Sequence, residues 1–137
     1  MRYILDSNVI SEMVANVPRP EVVAWIRWHE SESGTSSVLL AELEYGIQLM
    51  PTGKRRQRLE EWLEGILGYV QIIPFDVAEA REWSRLMAHL TQAGRRLPVK
   101  DSMIAATALV HGLTVVTRNV RDFERTGVTL VNPFLES

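Results

Sequence analysis

Apolar residues occur along this chain in two ways, as short unbroken runs and as longer segments with helical spacing. The unbroken runs predict short strands at residues 3–5, 70–73, 113–117 and 128–131. Residues 34–37, Gly-Thr-Ser-Ser, predict a turn or the edge of a short strand. Because the strands are apolar throughout rather than alternating, they predict a parallel sheet that is covered on both faces.

The segments with helical spacing predict helices between these strands. Capping and breaking residues mark their ends: Pro20 opens one helix, Pro51 ends another, and Asp76 with Glu79 has the form of a capping box. The strands and helices together predict an α/β fold. The length of 137 residues predicts a single domain over residues 1–137.

Composition narrows the class of protein further. The chain has no cysteine, which excludes disulfides and thiolate zinc sites, and its apolar fraction of 46% is enough for a core without them. The first apolar run reaches Asp6 too early for a signal peptide, and no stretch approaches the ~20 apolar residues of a membrane span. We therefore expect a cytoplasmic protein.

The formal net charge of −2 does not by itself indicate a nucleic-acid partner. Basic residues do form local clusters at residues 54–58, 95–100 and 118–125. Such clusters are usually solvated faces, and the sequence alone supports no stronger interpretation of them.

Acidic residues stand where a parallel sheet presents its ligand-binding edge, beyond the carboxyl ends of the strands. Asp6 directly follows the first strand, and Thr117 ends a later one. Asp101 falls in the first turn of an apolar helix, where the helix dipole favours a carboxylate. A purely structural role at a helix N-terminus is the alternative for both acids. Glu42 and Glu44 border the apolar stripe of one helix on opposite sides, and helical geometry does not choose between them.

Carboxylates that converge on one edge need a cation. Two like charges ~4 Å apart repel by about 4 kcal/mol at an effective dielectric of 20. Ligation by oxygen alone favours Mg²⁺ or Mn²⁺, and such an ion can hold a phosphodiester and make a bound water more acidic. The acids therefore predict hydrolysis of a phosphodiester by a metal-activated water.

Four segments resemble the motifs of the PIN domain and, more narrowly, of the VapC-type toxins of bacterial toxin–antitoxin modules. They are residues 5–12 (LDSNVISE), 36–43 (SSVLLAEL), 101–108 (DSMIAATA) and 116–119 (VTRN). The resemblance implies a three-layer α/β/α fold with a short, mainly parallel sheet, and a Mg²⁺- or Mn²⁺-dependent endoribonuclease that cleaves RNA. It also implies a homodimer and a cognate VapB-type antitoxin protein whose tail enters the active-site groove.

Matched by position, the resemblance makes Asp6 and Asp101 the principal metal ligands. It makes Glu42, rather than Glu44, the third acid of the catalytic cluster, as a metal ligand directly or through water.

The remaining motif positions supply supporting residues. The resemblance implies that Asn8 supports the first acid by hydrogen bonding and that Ser36 and Thr117 line the pocket. In the mechanism, we expect Arg118 or another nearby cation to lie near the phosphate. Asn119 stands at the fourth catalytic position, where many members have aspartate. Because an amide carries no charge, one firm metal position is expected rather than two.

Other functions fit the sequence less well. A phosphatase of the haloacid dehalogenase type needs a second carboxylate two residues after Asp6, and that residue is Asn8. A receiver domain would have a lysine after a late strand, where this chain has Arg118. The non-enzymatic alternative is an RNA-binding or protein-interaction module of the same fold that does not cleave, which Asn119 would suit.

Overall fold

The structure is a computed structural model that describes residues 1–68 and 70–135. Its strands form a parallel sheet in the order β3-β2-β1-β4-β5. These strands are β1 (Tyr3–Leu5), β2 (Ser33–Ser36), β3 (Gln71–Ile73), β4 (Thr114–Val116) and β5 (Thr129–Val131).

Helices connect the strands and cover the sheet. They are α1 (Ser7–Ile10), α2 (Pro20–Trp28), α3 (Ser37–Gln48), α4 (Lys54–Leu67), α5 (Val77–Gln92), α6 (Val99–His111) and α7 (Val120–Phe123). The 3₁₀ turns Ser11–Val14 and Glu30–Glu32 follow α1 and α2. Among the described residues, no helix is both long and apolar enough to cross a membrane.

The central strand β1 shows why the sheet is covered on both faces. Its three residues are all buried, and successive side chains point to opposite faces. Ile4 packs into a core cluster with residues of α3, α5, α6 and α7. Tyr3 and Leu5 pack into a second cluster with residues of α1, α2 and α4. The expected three-layer α/β/α fold with a parallel sheet is therefore confirmed.

The strand β2 corrects one expectation, because the residues predicted as a turn or strand edge form an interior strand between β1 and β3. A Cβ on Gly34 would lie 2.6 Å from the Met1 side chain and 2.7 Å from the Gln71 carbonyl oxygen, so only glycine permits this close approach. The buried Thr35 hydroxyl donates to the Leu5 carbonyl at 3.0 Å. The strand β2 thus consists mainly of small and polar residues, and it lacks the run of β-branched residues by which a strand is recognised in a sequence.

The capping box of α5 also joins this helix to α6. Glu79, only 4% exposed, accepts a hydrogen bond from the Asp76 backbone N–H at 2.8 Å, and His111 Nε2 lies 2.8 Å from its other carboxylate oxygen. Burial raises the pKa of Glu79, but the backbone hydrogen bonds and His111 together lower it by more than burial raises it. The pKa of Glu79 therefore lies below its usual range. The ionised carboxylate therefore stabilises the fold.

We expect Glu79→Gln to lower the free energy of unfolding at pH 7 by about 1.5–3 kcal/mol, the usual value of a hydrogen bond to a charged group. Because the folded-state pKa is depressed, this stabilisation is complete above the unfolded pKa and is lost as the pH falls through the folded one. Denaturant titrations should therefore show the two proteins converging below about pH 4.5. Glu61→Gln, at an exposed position of α4, is the control, and a difference that stayed constant with pH would contradict the assignment.

Candidate active site

The candidate site lies where the order of strands reverses. The chain passes from β1 outward through β2 and β3, then returns to the other side of β1 for β4 and β5. Ligands of parallel α/β sheets bind at such a switch point, beyond the carboxyl ends of the strands. Leu5 and Val116 are in register across β1 and β4, so the residues that follow them, Asp6 and Thr117, meet at this edge.

Asp6 is held by donors on both carboxylate oxygens. It is 1% exposed, and Oδ1 accepts the Ser7 backbone N–H at 2.8 Å as the N-cap of α1. Its Oδ2 accepts the Thr117 hydroxyl at 2.8 Å and the Asn8 amide at 3.4 Å. Asn8 also accepts the Arg118 backbone N–H at 3.2 Å, which links α1 to the loop after β4. The first acid is therefore both a cap and a rigidly oriented site residue.

The other two predicted acids meet at the contact between α3 and α6. Lys100 Nζ donates to Glu42 Oε1 at 2.8 Å and lies 3.7 Å from Asp101 Oδ1. Asp101 is 5% exposed, in the first turn of α6. Glu44, two residues from Glu42, is exposed. The packing of α3 on α6 thus distinguishes Glu42 from Glu44, which the sequence pattern could not do.

The charges of this cluster act on one another. Burial raises the pKa of Asp101; Lys100 lowers it, whereas the charges of Asp6, Asp122 and Glu42 raise it, and the net shift is upward. Burial lowers the pKa of Lys100, but the hydrogen bond and charge of Glu42, with the charges of Asp6 and Asp101, raise it above its usual range. The lysine ammonium is therefore the counter-ion of the acids in this arrangement.

Whether these residues suit a metal ion can be judged from their oxygen atoms. Two of them, Glu42 Oε2 and Asp101 Oδ1, are buried and accept no hydrogen bond. Buried carboxylate oxygens without a donor are costly, and a cation would satisfy both. The donor set consists of oxygens alone, which suits a hard divalent cation. As the side chains stand, no three acidic or histidine residues in positions 1–68 and 70–135 are grouped to hold one ion. Lys100 would have to leave Glu42 before that acid could take part.

The remaining predicted residues differ in how closely they join the site. Thr117 is fully buried; its hydroxyl donates to Asp6 and accepts the Asn119 backbone N–H at 3.0 Å. Ser36 is also buried, but its hydroxyl caps α3 by accepting the Val38 N–H at 2.9 Å. The Asn119 side chain is exposed, and only its backbone enters this network.

Arg118 lies at the rim of the site. Its side chain is exposed, and its guanidinium lies over the Phe134 ring, 4.8 Å from the centroid. An aromatic ring beneath a guanidinium restrains it while leaving its N–H groups free for a phosphate.

Sequence reasoning did not assign Lys100 to the site, because it was grouped with the neighbouring arginines as a basic cluster. A signal was present: a lysine beside an acid in the first turn of a helix opposes the helix dipole, so its position requires another explanation. The explanation is Glu42, which stands 58 residues away in sequence.

Comparison with known proteins places this chain in a family. Residues 3–128 match the PIN domain. The VapC ribonuclease Y4jK of Sinorhizobium fredii is 38% identical, with 96% of each chain covered. Toxin FitB of Neisseria gonorrhoeae is 36% identical, over 96% of this chain and 97% of that one. The tRNA(fMet)-specific endonuclease VapC of Shigella flexneri is 31% identical, over 93% of each.

A solved structure agrees with these relatives. The crystal structure of FitAcB from Neisseria gonorrhoeae superposes with a TM-score of 0.91 at 35% identity and covers 97% of this chain and 99% of that one. The match therefore extends over sequence, fold and nearly the full length. The chain belongs to the PIN-domain family, among its VapC-type toxin ribonucleases.

Proposed function

We propose that this chain is a divalent-metal-dependent endoribonuclease, that Asp6, Glu42 and Asp101 form its catalytic cluster, and that it acts as the toxin of a toxin–antitoxin pair. The observation that carries the proposal is the pair of buried oxygens without hydrogen-bond donors, Glu42 Oε2 and Asp101 Oδ1, beside the switch point of the sheet. A protein that only bound RNA would have no need of two buried carboxylate oxygens without donors at this edge.

Asp6 and Asp101 would hold the ion, and Glu42 would join them once Lys100 moves away. Oxygen ligands favour Mg²⁺ or Mn²⁺. The bound ion would supply Lewis-acid activation of the attacking water and neutralise charge at the phosphate. One ion is proposed rather than two, because the Asn119 side chain is exposed and carries no charge.

The chain's own residues would orient the reacting groups. Thr117 and Asn8 hold the carboxylate of Asp6 in one orientation. The carboxylate would therefore not have to reorient during the reaction. Arg118, restrained on Phe134, would contact a phosphate at the rim. Ser36 would act indirectly, since its hydroxyl fixes the start of the helix that presents Glu42.

The family also bears on the partners of this chain. The relatives include a protein named as a toxin, and a structural neighbour from Mycobacterium tuberculosis, 33% identical, is a member of the VapBC family of toxin–antitoxin systems. We propose a VapB-type antitoxin and a homodimer for this chain, with the cytoplasm, where RNA is the substrate, as its place of action. Co-expression with the neighbouring reading frame, followed by size-exclusion chromatography with light scattering, tests both assemblies.

The activity is tested with purified protein and defined RNAs, among them a tRNA(fMet) transcript, because one relative carries that specificity in its name. We expect cleavage with Mg²⁺ or Mn²⁺ and none with EDTA, with activity restored when excess metal is added back. Attack by water on phosphorus should leave 5′-phosphate and 3′-hydroxyl ends, which end-labelling and mass spectrometry identify.

Two results would overturn this mechanism. Cleavage that persists in EDTA would remove the metal from it, and a 2′,3′-cyclic phosphate product would show that the RNA 2′-hydroxyl is the nucleophile. RNA binding without cleavage under any metal would favour the non-cleaving module.

A further inference from the structure

A cleft beside the proposed active site brings together two basic clusters that are separate in the sequence. It has a volume of about 280 Å³, and apolar residues such as Leu90 and Leu97 form part of its lining. Four arginines from two parts of the chain also line it: Arg95, Arg96, Arg121 and Arg125. The first two follow α5, and the other two come from α7 and the turn after it.

These arginines are free to bind an external anion. All four are exposed, and within residues 1–68 and 70–135 none of their side chains forms a salt bridge or an intramolecular hydrogen bond. Some exposed arginines elsewhere in this protein do pair, as Arg19 does with Glu21 and Arg85 with Glu82. With Asp122 as the one acid in the lining, the four arginines leave the cleft with a net positive charge, and a polyanion would reduce the repulsion among them.

The cleft lies beside the catalytic edge. Pro98, which lines it, directly precedes α6, whose first turn carries Lys100 and Asp101. Asp122, another lining residue, is close enough for its charge to raise the pKa of Asp101. The cleft therefore lies next to the acids.

We propose that this cleft is a binding site for the phosphate backbone of the RNA substrate, away from the bond that is cleaved. The inference rests on the proposed function for the identity of the polyanion. Arginine suits the role because its planar fork pairs with phosphate through two hydrogen bonds. With a net charge of −2 the protein has no general attraction for RNA, so a local cluster must supply it.

The test measures binding without metal, so that cleavage does not interfere. A fluorescein-labelled tRNA(fMet) transcript is titrated in EDTA at several KCl concentrations, with the wild-type chain and with a variant in which the four cleft arginines are changed to glutamine. We expect at least a tenfold loss of affinity at low salt. Each phosphate contact contributes about 0.7–0.9 to the slope of log K against log salt, so four contacts should reduce the slope by about 3.

A matched variant removes the same charge elsewhere. It changes four other exposed basic residues to glutamine, namely Arg27, Arg58, Arg81 and Lys54, whose side chains form no salt bridge or hydrogen bond within the described part of the chain. Near-wild-type affinity in this variant supports the cleft, whereas an equal loss in both variants would mean that only net charge matters and would overturn it. Equal or tighter binding of a DNA hairpin by the same arginines would overturn the assignment to RNA. Unchanged thermal melting confirms that both variants fold.

Failure of the cleft and failure of the proposed nuclease give different results. Mn²⁺-dependent cleavage of a dinucleotide, whose single phosphate is at the cleaved bond and leaves none for the cleft, should be the same in wild type and cleft variant. Cleavage of the tRNA at subsaturating concentration should fall at least tenfold in the cleft variant. Loss of dinucleotide cleavage in the cleft variant would contradict a role confined to binding away from the cleaved bond. If the wild-type chain cleaves neither substrate, the nuclease proposal fails, while the binding data still decide the cleft.

Discussion

RNA cleavage is expected to fall at least about a hundredfold when Asp101 is replaced by asparagine, while the metal-free protein becomes more stable. Loss of groups that only support a metal ligand costs about 10–100-fold, and loss of a charged ligand should cost more. The gain in stability follows from the raised pKa of Asp101. Burial raises this pKa most, Lys100 lowers it, and the charges of Asp6, Asp122 and Glu42 raise it again. A raised pKa means that the ionised carboxylate destabilises the folded state above that pKa, and asparagine removes the charge.

Thermal melting in EDTA at pH 7 and RNA cleavage in Mn²⁺ measure the two effects separately. Each kcal/mol gained should raise Tm by about 3–5 °C for a chain of this size. Glu44→Gln is the control on α3, because this residue is exposed and two positions from Glu42. A variant with full activity would remove Asp101 from the mechanism, and a lower Tm would contradict the electrostatic account.

Asp6→Asn should also lower RNA cleavage, but unlike Asp101→Asn it should destabilise the metal-free protein. Its carboxylate accepts from Ser7, Thr117 and Asn8, so the native hydrogen bonds already satisfy it. An asparagine presents a donor where Thr117 now donates, and stability should fall rather than rise. Equal activity loss with opposite shifts in Tm would identify two acids with one catalytic role and different structural roles.

The sheet and its functional edge could be predicted from sequence because their signals are local. Apolar runs at residues 3–5 and 113–117 identify buried parallel strands, and the edge rule then brings Asp6 and Thr117 together without knowledge of any contact. The strand β2 could not be found in this way. Its Gly34 is required by the approach of Met1 and Gln71, which are distant in sequence.

The composition of the site depended more on packing than on pattern. Glu42 and Glu44 are equivalent by helical spacing, and in the structure the contact of α3 with α6 distinguishes them. In the sequence, the arginines at residues 95–96 and 121–125 are interpreted as separate solvated faces, because 24 residues of helix and strand lie between them. In the folded protein, α6 and α7 place these arginines around one cleft. Family resemblance chose Glu42, but no family motif included Lys100 or the cleft.

Removal of Lys100 is expected to strengthen metal binding. Its ammonium group lies 2.8 Å from Glu42 Oε1 and 3.7 Å from Asp101 Oδ1, where it competes with any cation that binds those oxygens. Two unit charges ~4 Å apart interact by about 4 kcal/mol at an effective dielectric of 20, and part of this is lost when the lysine swings into solvent. Lys100→Met should therefore lower the Mn²⁺ dissociation constant about tenfold to a hundredfold, or 1.4–2.8 kcal/mol, measured by isothermal titration calorimetry.

The control is Lys54→Met, since Lys54 is the only other lysine in the chain and is exposed at the start of α4. Lys100→Arg, which keeps the charge, should retain the weak affinity of the wild type. In EDTA, Lys100→Met should melt below the wild type, because three acids lose their counter-ion, and added Mn²⁺ should reverse that order. Unchanged affinity in Lys100→Met would show that the lysine does not compete for the metal position, while tighter metal binding with slower RNA cleavage would assign the displaced ammonium to the phosphate.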